Sequence, residues 1–196
     1  KQNTNLFHAC TTQPHNPYEW ESEELIISSD RYSALKPAYP TAFVSRTGTL
    51  YVMWNQTISD VVRPVFYTKS TDNGKTFQNA VPAIYPYRPD NVNEVYLGQI
   101  TKEPDISGEP EKFHFVFILA GGPNHNAYHK DIYHSIFRPD NDHFYGMNGT
   151  DLGITIDEVE LVDHCIVLDT GTPADSLYPE ENNTVVVGDN QIPIIN

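Results

Sequence analysis

The sequence predicts an all-β protein built from repeated four-stranded antiparallel units, and three observations lead to this prediction. The 196 residues include 12 Tyr, 9 Phe, 15 Pro and 11 Gly, a composition typical of strands and tight turns, without a long apolar repeat of helical period. Apolar and polar residues alternate in short runs, most clearly at residues 49–54. Tyr67 and Tyr133 lie 66 residues apart and Phe77 and Phe144 lie 67 apart, which indicates a repeat.

The first unit covers residues 38–84. Residues 24–28, after a polar and irregular N-terminal segment, carry an earlier strand signal that we interpret as the outer edge of an incomplete unit. The four strands of the first unit are predicted at residues 39–45, 49–54, 63–69 and 77–84.

The second unit covers residues 95–150, and a third begins at residues 184–196. Strands of the second unit are predicted at residues 95–100, 112–120 and 131–137 and from residue 143 onward. Between these units, residues 151–180 form an acidic connector. The third unit contains only a strand, a turn and a strand, and such an isolated hairpin would expose apolar edges. We therefore expect the chain to be a fragment or one piece of a nicked protein, with more units to follow.

Residues 70–77, Ser-Thr-Asp-Asn-Gly-Lys-Thr-Phe, are predicted to form a stiff turn between the third and fourth strands. Ser70 supplies a small hydroxyl, the Asp72 carboxylate can accept hydrogen bonds from its own turn, Gly74 can adopt a positive φ, and Phe77 can pack beneath. The stretch resembles the Asp box of sialidase-like β-propellers at each defining position. This resemblance implies that each four-stranded unit is a propeller blade.

A degraded copy of the box lies at residues 138–144, after the third strand of the second unit. In a propeller the boxes lie at one face, while the loops between second and third strands open at the other. His143 is therefore expected on the box face. His114 and His134 fall within strands and are interpreted as core or wall residues.

The net charge of −14 excludes a general nucleic-acid binder, because phosphate binding requires clustered Lys and Arg. The acidity fits a protein kept soluble in seawater, where salt shortens the Debye length to between ~10 and ~3 Å. An acidic surface with no partner implied is the alternative. The chain has no run of about 18 apolar residues that could span a membrane. Since its start lacks a basic and then apolar region, any signal peptide is expected to have been removed, which suits a secreted or periplasmic protein.

Cys10 and Cys165 lie far apart in the sequence, each with a histidine nearby. Three interpretations stay open: buried unpaired thiols, a long-range disulfide, and a zinc site that includes His8 and His164. A structural zinc or calcium ion is compatible with the third.

The loop at residues 121–130 is the preferred functional region. It carries His125, Asn126, Tyr128 and His129, side chains suited to proton transfer and sugar binding. A purely structural surface loop and a metal pair formed by the two histidines are the alternatives.

The corresponding loop of the first unit places Asn55 and Arg63 at the same face. We predict that both bind substrate, Arg63 through its planar fork to a carboxylate or sulfate. A surface Arg paired with a neighbouring acidic loop is the alternative.

Residues 121–133 read Gly-Gly-x-x-His-x-x-Tyr-His-x-Asp-Ile-Tyr, and Phe-Tyr at 144–145 and Asn-Gly-Thr-Asp-Leu-Gly at 148–153 follow. Together they resemble the BNR-repeat group that includes the propeller ulvan lyases. The resemblance implies a seven-bladed propeller that cleaves a sulfated, uronate-containing algal polysaccharide by β-elimination without a metal. In that reaction an Arg neutralises the uronate carboxylate, a His or Tyr removes the C5 proton, and an acid protonates the leaving O4.

Carried over to this sequence, the resemblance makes His125 the acid or base, with His129 and Tyr128 assisting and Arg63 facing the carboxylate. Further Arg and Tyr positions of the group are expected in later blades. The expected partners are an acidic polysaccharide and the remaining blades of the same propeller, with neither nucleic acid nor membrane. A sialidase-like glycoside hydrolase and a noncatalytic carbohydrate-binding propeller are the rival functions.

Overall fold

The structure, a computed structural model, describes residues 5–27, 36–171, 184–185 and 194–195. It confirms the all-β prediction. The strands are β1 Leu6–His8, β2 Glu24–Ile27, β3 Lys36–Val44, β4 Leu50–Thr57, β5 Val62–Arg63, β6 Val65–Ser70, β7 Val81–Ile84, β8 Asn93–Lys102, β9 Phe113–Gly121, β10 Tyr128–Arg138, β11 His143–Tyr145, β12 Asp151–Gly153, β13 Ile166–Leu168, β14 Thr184–Val185 and β15 Ile194–Ile195. A single helical turn, α1 (Glu158–Glu160), continues into a π-helical turn at Leu161–Cys165.

The first sheet has the order β3-β4-β6-β7, and all its neighbouring strands are antiparallel. The second sheet follows the same order in β8-β9-β10-β11 and extends to β12. β5 lies parallel to β8 at the other edge, and β13 pairs with β10. The described residues therefore form two large meandering sheets, antiparallel except for the β5–β8 pair, and two small sheets, β1-β2 and β14-β15. A seven-bladed propeller stays a prediction.

The main core lies between the two sheets. Side chains on one face of β9 alternate with those on the other: Phe115 and Phe117 belong to this core, whereas Val116 and Ile118 form a second cluster on the outer face. Phe43 of the first sheet stacks on Tyr51 at 5.0 Å and packs on aromatic residues of the second sheet. Burying these rings removes a large apolar area from water and holds the two sheets face to face.

The turn at residues 70–77 forms as predicted from its residues. Ser70 Oγ accepts from Gly74 N (2.9 Å) and donates to Asp72 Oδ1 (2.7 Å). The Asp72 carboxylate also accepts from Thr76 N (2.9 Å) and Thr76 Oγ1 (2.6 Å). Gly74 has φ +87°, which glycine adopts without strain. Each of these hydrogen bonds joins residues no more than four positions apart along the chain, so the turn is a local structure.

Because hydrogen bonds from Thr76 and Ser70 favour the charged form, they lower the pKa of Asp72 to about 2 from 3.8. A carboxyl with a lowered folded-state pKa adds stability above its unfolded pKa and loses it as pH falls through the folded one. We expect the difference in Tm between the parent and Asp72→Asn to be full at pH 6, to shrink below pH 4 and to be lost once the pH falls below about 2. Thermal unfolding across this pH range tests it, with Asp60→Asn in an exposed loop as control. A pH-independent difference would contradict the assignment.

The prediction of a strand over residues 77–84 is wrong at its start, since β7 begins only at Val81. Phe77 instead packs on the cluster of Leu6, Val52 and Trp54, on the face of the first sheet away from the main core. Gln78 makes one ladder-like hydrogen bond, to Lys69 O. Because the Phe77 ring packs on this cluster, regular strand pairing begins only at Val81.

The degraded box at residues 138–144 is held by contacts with the other sheet. Arg138 donates both arms of its fork to Asp140. Asp142 accepts from Tyr51 OH (2.7 Å) and forms an ion pair with Lys69, both in the first sheet. Burial and the hydrogen bond to Asp142 raise the pKa of Tyr51. The second turn therefore ties the two sheets together at this end of the molecule.

The structure differs from two further predictions and describes part of a third. The N-terminal segment, predicted to be irregular, contains β1, which pairs with β2. The acidic connector contains the short α1 and π-helical turns. Of the predicted third unit, β14 and β15 pair antiparallel, while the rest of residues 184–196 lies outside the described residues. Within the described part, no helix has the length and apolar character needed to cross a membrane.

Candidate functional site at the loop end of the sheets

The loop that was preferred from the sequence lies at the end of the sheets opposite the turn at residues 70–77. β4 and β9 end there, and β6, β8 and β10 begin there, because neighbouring strands run antiparallel. We call this the site end, and the opposite end, which carries the turn at 70–77, the box end. Three segments meet at the site end. They are the segment between β4 and β6, the loop between β9 and β10, and the connector that precedes β8.

Glu94 is the centre of this cluster. It is the second residue of β8, pairs with Ala120 of β9, and has no exposed surface. Its Oε2 lies 2.5 Å from His125 Nδ1, and its Oε1 accepts a hydrogen bond from Asn126 N at 3.0 Å. Arg63 Nε lies 3.5 Å from the same Oε2 at ion-pair distance, although without hydrogen-bond geometry. A buried carboxylate thus holds the loop at residues 121–130 by two contacts and approaches Arg63 of β5 by a third.

His125 is the exposed member of the pair. Its side chain is 43% exposed, while its Nδ1 is directed at the charged carboxylate. With Glu94 ionised, Nδ1 carries the hydrogen and donates it, an assignment that follows from the bonding network. Nε2 is then the basic nitrogen of a neutral imidazole, available to take a proton from a ligand.

A second hydrogen bond extends the cluster to His129. Asn126 has φ +57°, a left-handed conformation that asparagine tolerates, and its Oδ1 accepts from His129 Nε2. The His129 ring lies 6.0 Å from the ring of Tyr96. His125 and His129 therefore belong to one connected network rather than to a metal pair on a helix.

Two glycines allow the loop to lie close to the connector. Gly121 has φ +125°, and a Cβ there would collide with the backbone carbonyl oxygen of Asn91. Gly122 has φ +108°, its N donates to the same carbonyl at 2.9 Å, and the ring of Tyr128 covers its Cα. Only glycine permits these approaches. The close approach of the loop to the connector allows His125 and Asn126 to contact Glu94.

Asn55, Tyr128 and Arg63, which are predicted to bind substrate, each make contacts within the protein. Asn55 is buried, and its amide donates to Val95 O (2.5 Å) and Arg63 O (3.3 Å), which fastens one loop to β8. Tyr128 packs on Gly122 and against the main core. Arg63 is largely buried and offsets the charge of Glu94. These contacts hold the site end together, and binding of substrate by the three residues stays a prediction.

Sequence reasoning missed Glu94, although a signal was present. An acidic residue stands inside a strand whose next residue, Val95, faces the main core. A charged residue at a position that the sheet buries requires a partner. The sequence does not reveal that this partner is His125.

Arg88, Asp90 and Lys130 form a charged rim beside the cluster. Arg88 makes a two-armed contact with Asp90, and Lys130 Nζ lies 3.7 Å from Asp90 Oδ2. Although burial raises the pKa of Asp90, the hydrogen bond and charge of Arg88 outweigh it and leave this pKa below its usual range. Asp90 thus stays ionised between two cations.

The remaining strand histidines lie away from the site end. His114 and His134 are buried with 2.9 Å between Nδ1 and Nε2, and His114 Nε2 lies 3.4 Å from Glu103. Burial lowers the pKa of His134 to about 4 and also lowers that of His114. Both are neutral near pH 7, in line with the wall position predicted for them. His143 pairs with Asp151 (2.8 Å) at the box end.

Both cysteines are free thiols in this structure, so it contains no Cys10–Cys165 disulfide. Cys165 is buried in the main core, and burial raises its pKa to about 12. Cys10 lies beside Gly74 at the box end. Within residues 5–27 and 36–171, no three His, Cys, Asp or Glu side chains are grouped in a way that could hold a metal ion.

Comparison with solved structures identifies similar chains, including the following two. Both are structures of a PL25 ulvan lyase, described as a new family of polysaccharide lyase, and one is bound to -[GlcA(1-4)Rha3S]-. Each matches with a TM-score of 0.63 and 17% identity over 87% of this chain and 39% of the neighbour. No family model and no curated protein matches the sequence. This chain therefore shares its fold with part of a polysaccharide lyase and spans about two fifths of the length of these neighbours.

Proposed function

We propose that this chain is part of a polysaccharide lyase that cleaves an acidic, uronate-containing polysaccharide such as ulvan by β-elimination. The observation that carries the proposal is the contact between buried Glu94 and half-exposed His125. This arrangement turns a surface imidazole into an oriented base. The fold shared with the ulvan lyases agrees with it.

The reaction requires a base at C5 of the uronate. In our proposal His125 Nε2 accepts the C5 proton, the electron pair of that bond forms the C4–C5 double bond, and the bond from C4 to O4 breaks. The leaving O4 takes up a proton from solvent water, and the imidazolium returns its proton to solvent, so that the products are an unsaturated uronate and a new chain end. Glu94 keeps Nε2 in its basic form and stabilises the imidazolium that results.

The proposal gives His129 and Asn126 a supporting part. The hydrogen bond between them helps to fix the loop that carries His125. Arg63 places a positive charge 3.5 Å from the buried Glu94 carboxylate. The reaction as proposed invokes no cofactor.

The proposed substrate also bears on where the protein acts. A polysaccharide is too large to be taken up intact, so we propose a secreted or periplasmic protein. The net charge of −14 suits solubility in salt water.

Incubation of the complete protein with ulvan tests the activity. We expect the ultraviolet absorbance of the unsaturated uronyl product to rise as the chains shorten. Chain shortening without this absorbance would overturn the lyase proposal in favour of a glycoside hydrolase. Binding with neither change would overturn it in favour of a noncatalytic carbohydrate-binding protein.

A further inference from the structure

Three rings form a row beside the candidate site. Tyr39 of β3, Tyr96 of β8 and His129 of β10 follow one another with centroid separations of 6.4 Å and 6.0 Å. The neighbouring planes are tilted by 45° and 33°. The row thus crosses from the first sheet to the second.

The strand register shows that the row belongs to the same face as Glu94. Glu94 and His129 both pair with Ala120, so their side chains lie on one side of the second sheet. Tyr96 follows Glu94 by two residues and lies on that side as well. Since His129 is hydrogen-bonded to Asn126, the row leads directly to the loop of His125.

Tyr39 is the outer member of the row. It is 56% exposed and has φ +51°, at a bulge in the pairing of β3 with β4. A left-handed conformation is unfavourable for a residue that carries a Cβ. An exposed aromatic ring held in this conformation is unusual for a residue with no contact function.

We propose that Tyr39, Tyr96 and His129 form a sugar-binding subsite that holds pyranose units of the polysaccharide next to His125. The apolar C–H face of a pyranose packs on an aromatic face, and separations near 6 Å are comparable to the length of one sugar unit. Because the row adjoins the loop that carries His125, the sugar units bound on the row belong to the same polysaccharide chain as the uronate at His125. This inference rests on the proposed function and adds the residues that select for chain length.

Substitution of Tyr39 tests the subsite, because truncation of an exposed ring leaves the core intact. We expect Tyr39→Ala to raise KM for long ulvan chains about five- to tenfold with kcat nearly unchanged, and to weaken binding of intact ulvan by a similar factor in calorimetry. Tyr39→Phe keeps the ring and should behave like the parent. Tyr18→Ala removes a ring that is 90% exposed in the N-terminal segment and is the matched control.

Two results would overturn the subsite. One is unchanged KM and binding in Tyr39→Ala; the other is a loss of binding in Tyr39→Phe as large as in Tyr39→Ala, which would assign the effect to the hydroxyl. The calorimetric measurement does not depend on cleavage. If Tyr39→Ala weakened binding but the protein formed no unsaturated product, the subsite would stand and the proposed lyase activity would fail. If the protein formed the product but Tyr39→Ala bound ulvan as the parent does, the lyase activity would stand and the subsite would fail.

Discussion

Replacement of His125 by alanine is expected to reduce kcat for ulvan cleavage by about 10²- to 10⁴-fold, the usual contribution of a positioned acid or base. Its imidazole is half-exposed, and its main contact in the cluster is with Glu94. The fold should therefore survive, and KM should change little. Initial rates of unsaturated product formation, with thermal unfolding measured in parallel, test this expectation.

His143 provides the matched control for His125. It is also a histidine paired with a carboxylate, Asp151, but it lies at the box end. His143→Ala should retain kcat. Equal losses in the two variants, or parental kcat in His125→Ala, would contradict the assignment of His125 as the base.

Replacement of Glu94 by glutamine is expected to reduce kcat by about 10²- to 10⁴-fold, because a neutral amide neither orders the His125 tautomer nor stabilises the imidazolium. The change also leaves the Arg63 guanidinium without its buried counter-charge. Breaking a buried ion pair costs ~3–5 kcal/mol, and we expect about 2–3 kcal/mol here because Arg63 keeps some exposure. Denaturant unfolding and initial rates separate the two effects.

Glu103→Gln tests whether the loss of any buried glutamate is sufficient to explain the reduced kcat expected for Glu94→Gln. Glu103 is also buried and contacts a histidine, His114, and Lys112, yet it lies away from the site end. It should lose stability and keep kcat. If Glu94→Gln lost stability but retained kcat, Glu94 would be a structural residue only.

The turn at residues 70–77 shows what could be predicted with most certainty. Ser70, Asp72, Gly74 and Thr76 are joined by hydrogen bonds that each span no more than four positions along the chain. Such bonds depend only on the local sequence, so recognising the residues amounts to recognising the structure. The all-β class followed in the same way from composition and alternation.

Strand boundaries were less predictable, because pairing depends on what lies alongside. β1 contains only three residues and exists through its pairing with β2. Phe77 has a strand-like sequence context, yet its ring packs on Leu6, which precedes it by 71 positions. Local propensity does not contain this information.

The amino-acid sequence by itself determined the all-β class and the turn at residues 70–77, since these depend on composition and on neighbours along the chain, and it predicted the loop at residues 121–130 as the functional region. Only the tertiary structure decided which residues form the site. Glu94 reaches His125 across 31 residues, and Asn55 reaches Val95 across 40, so that one becomes the centre of the cluster and the other its support. The register of β8 with β9 and β10 joins Tyr96 and His129 to Glu94 on one face. The physical reason is that a buried carboxylate or amide is stable only beside its partner, and strand pairing sets which distant residue that partner is.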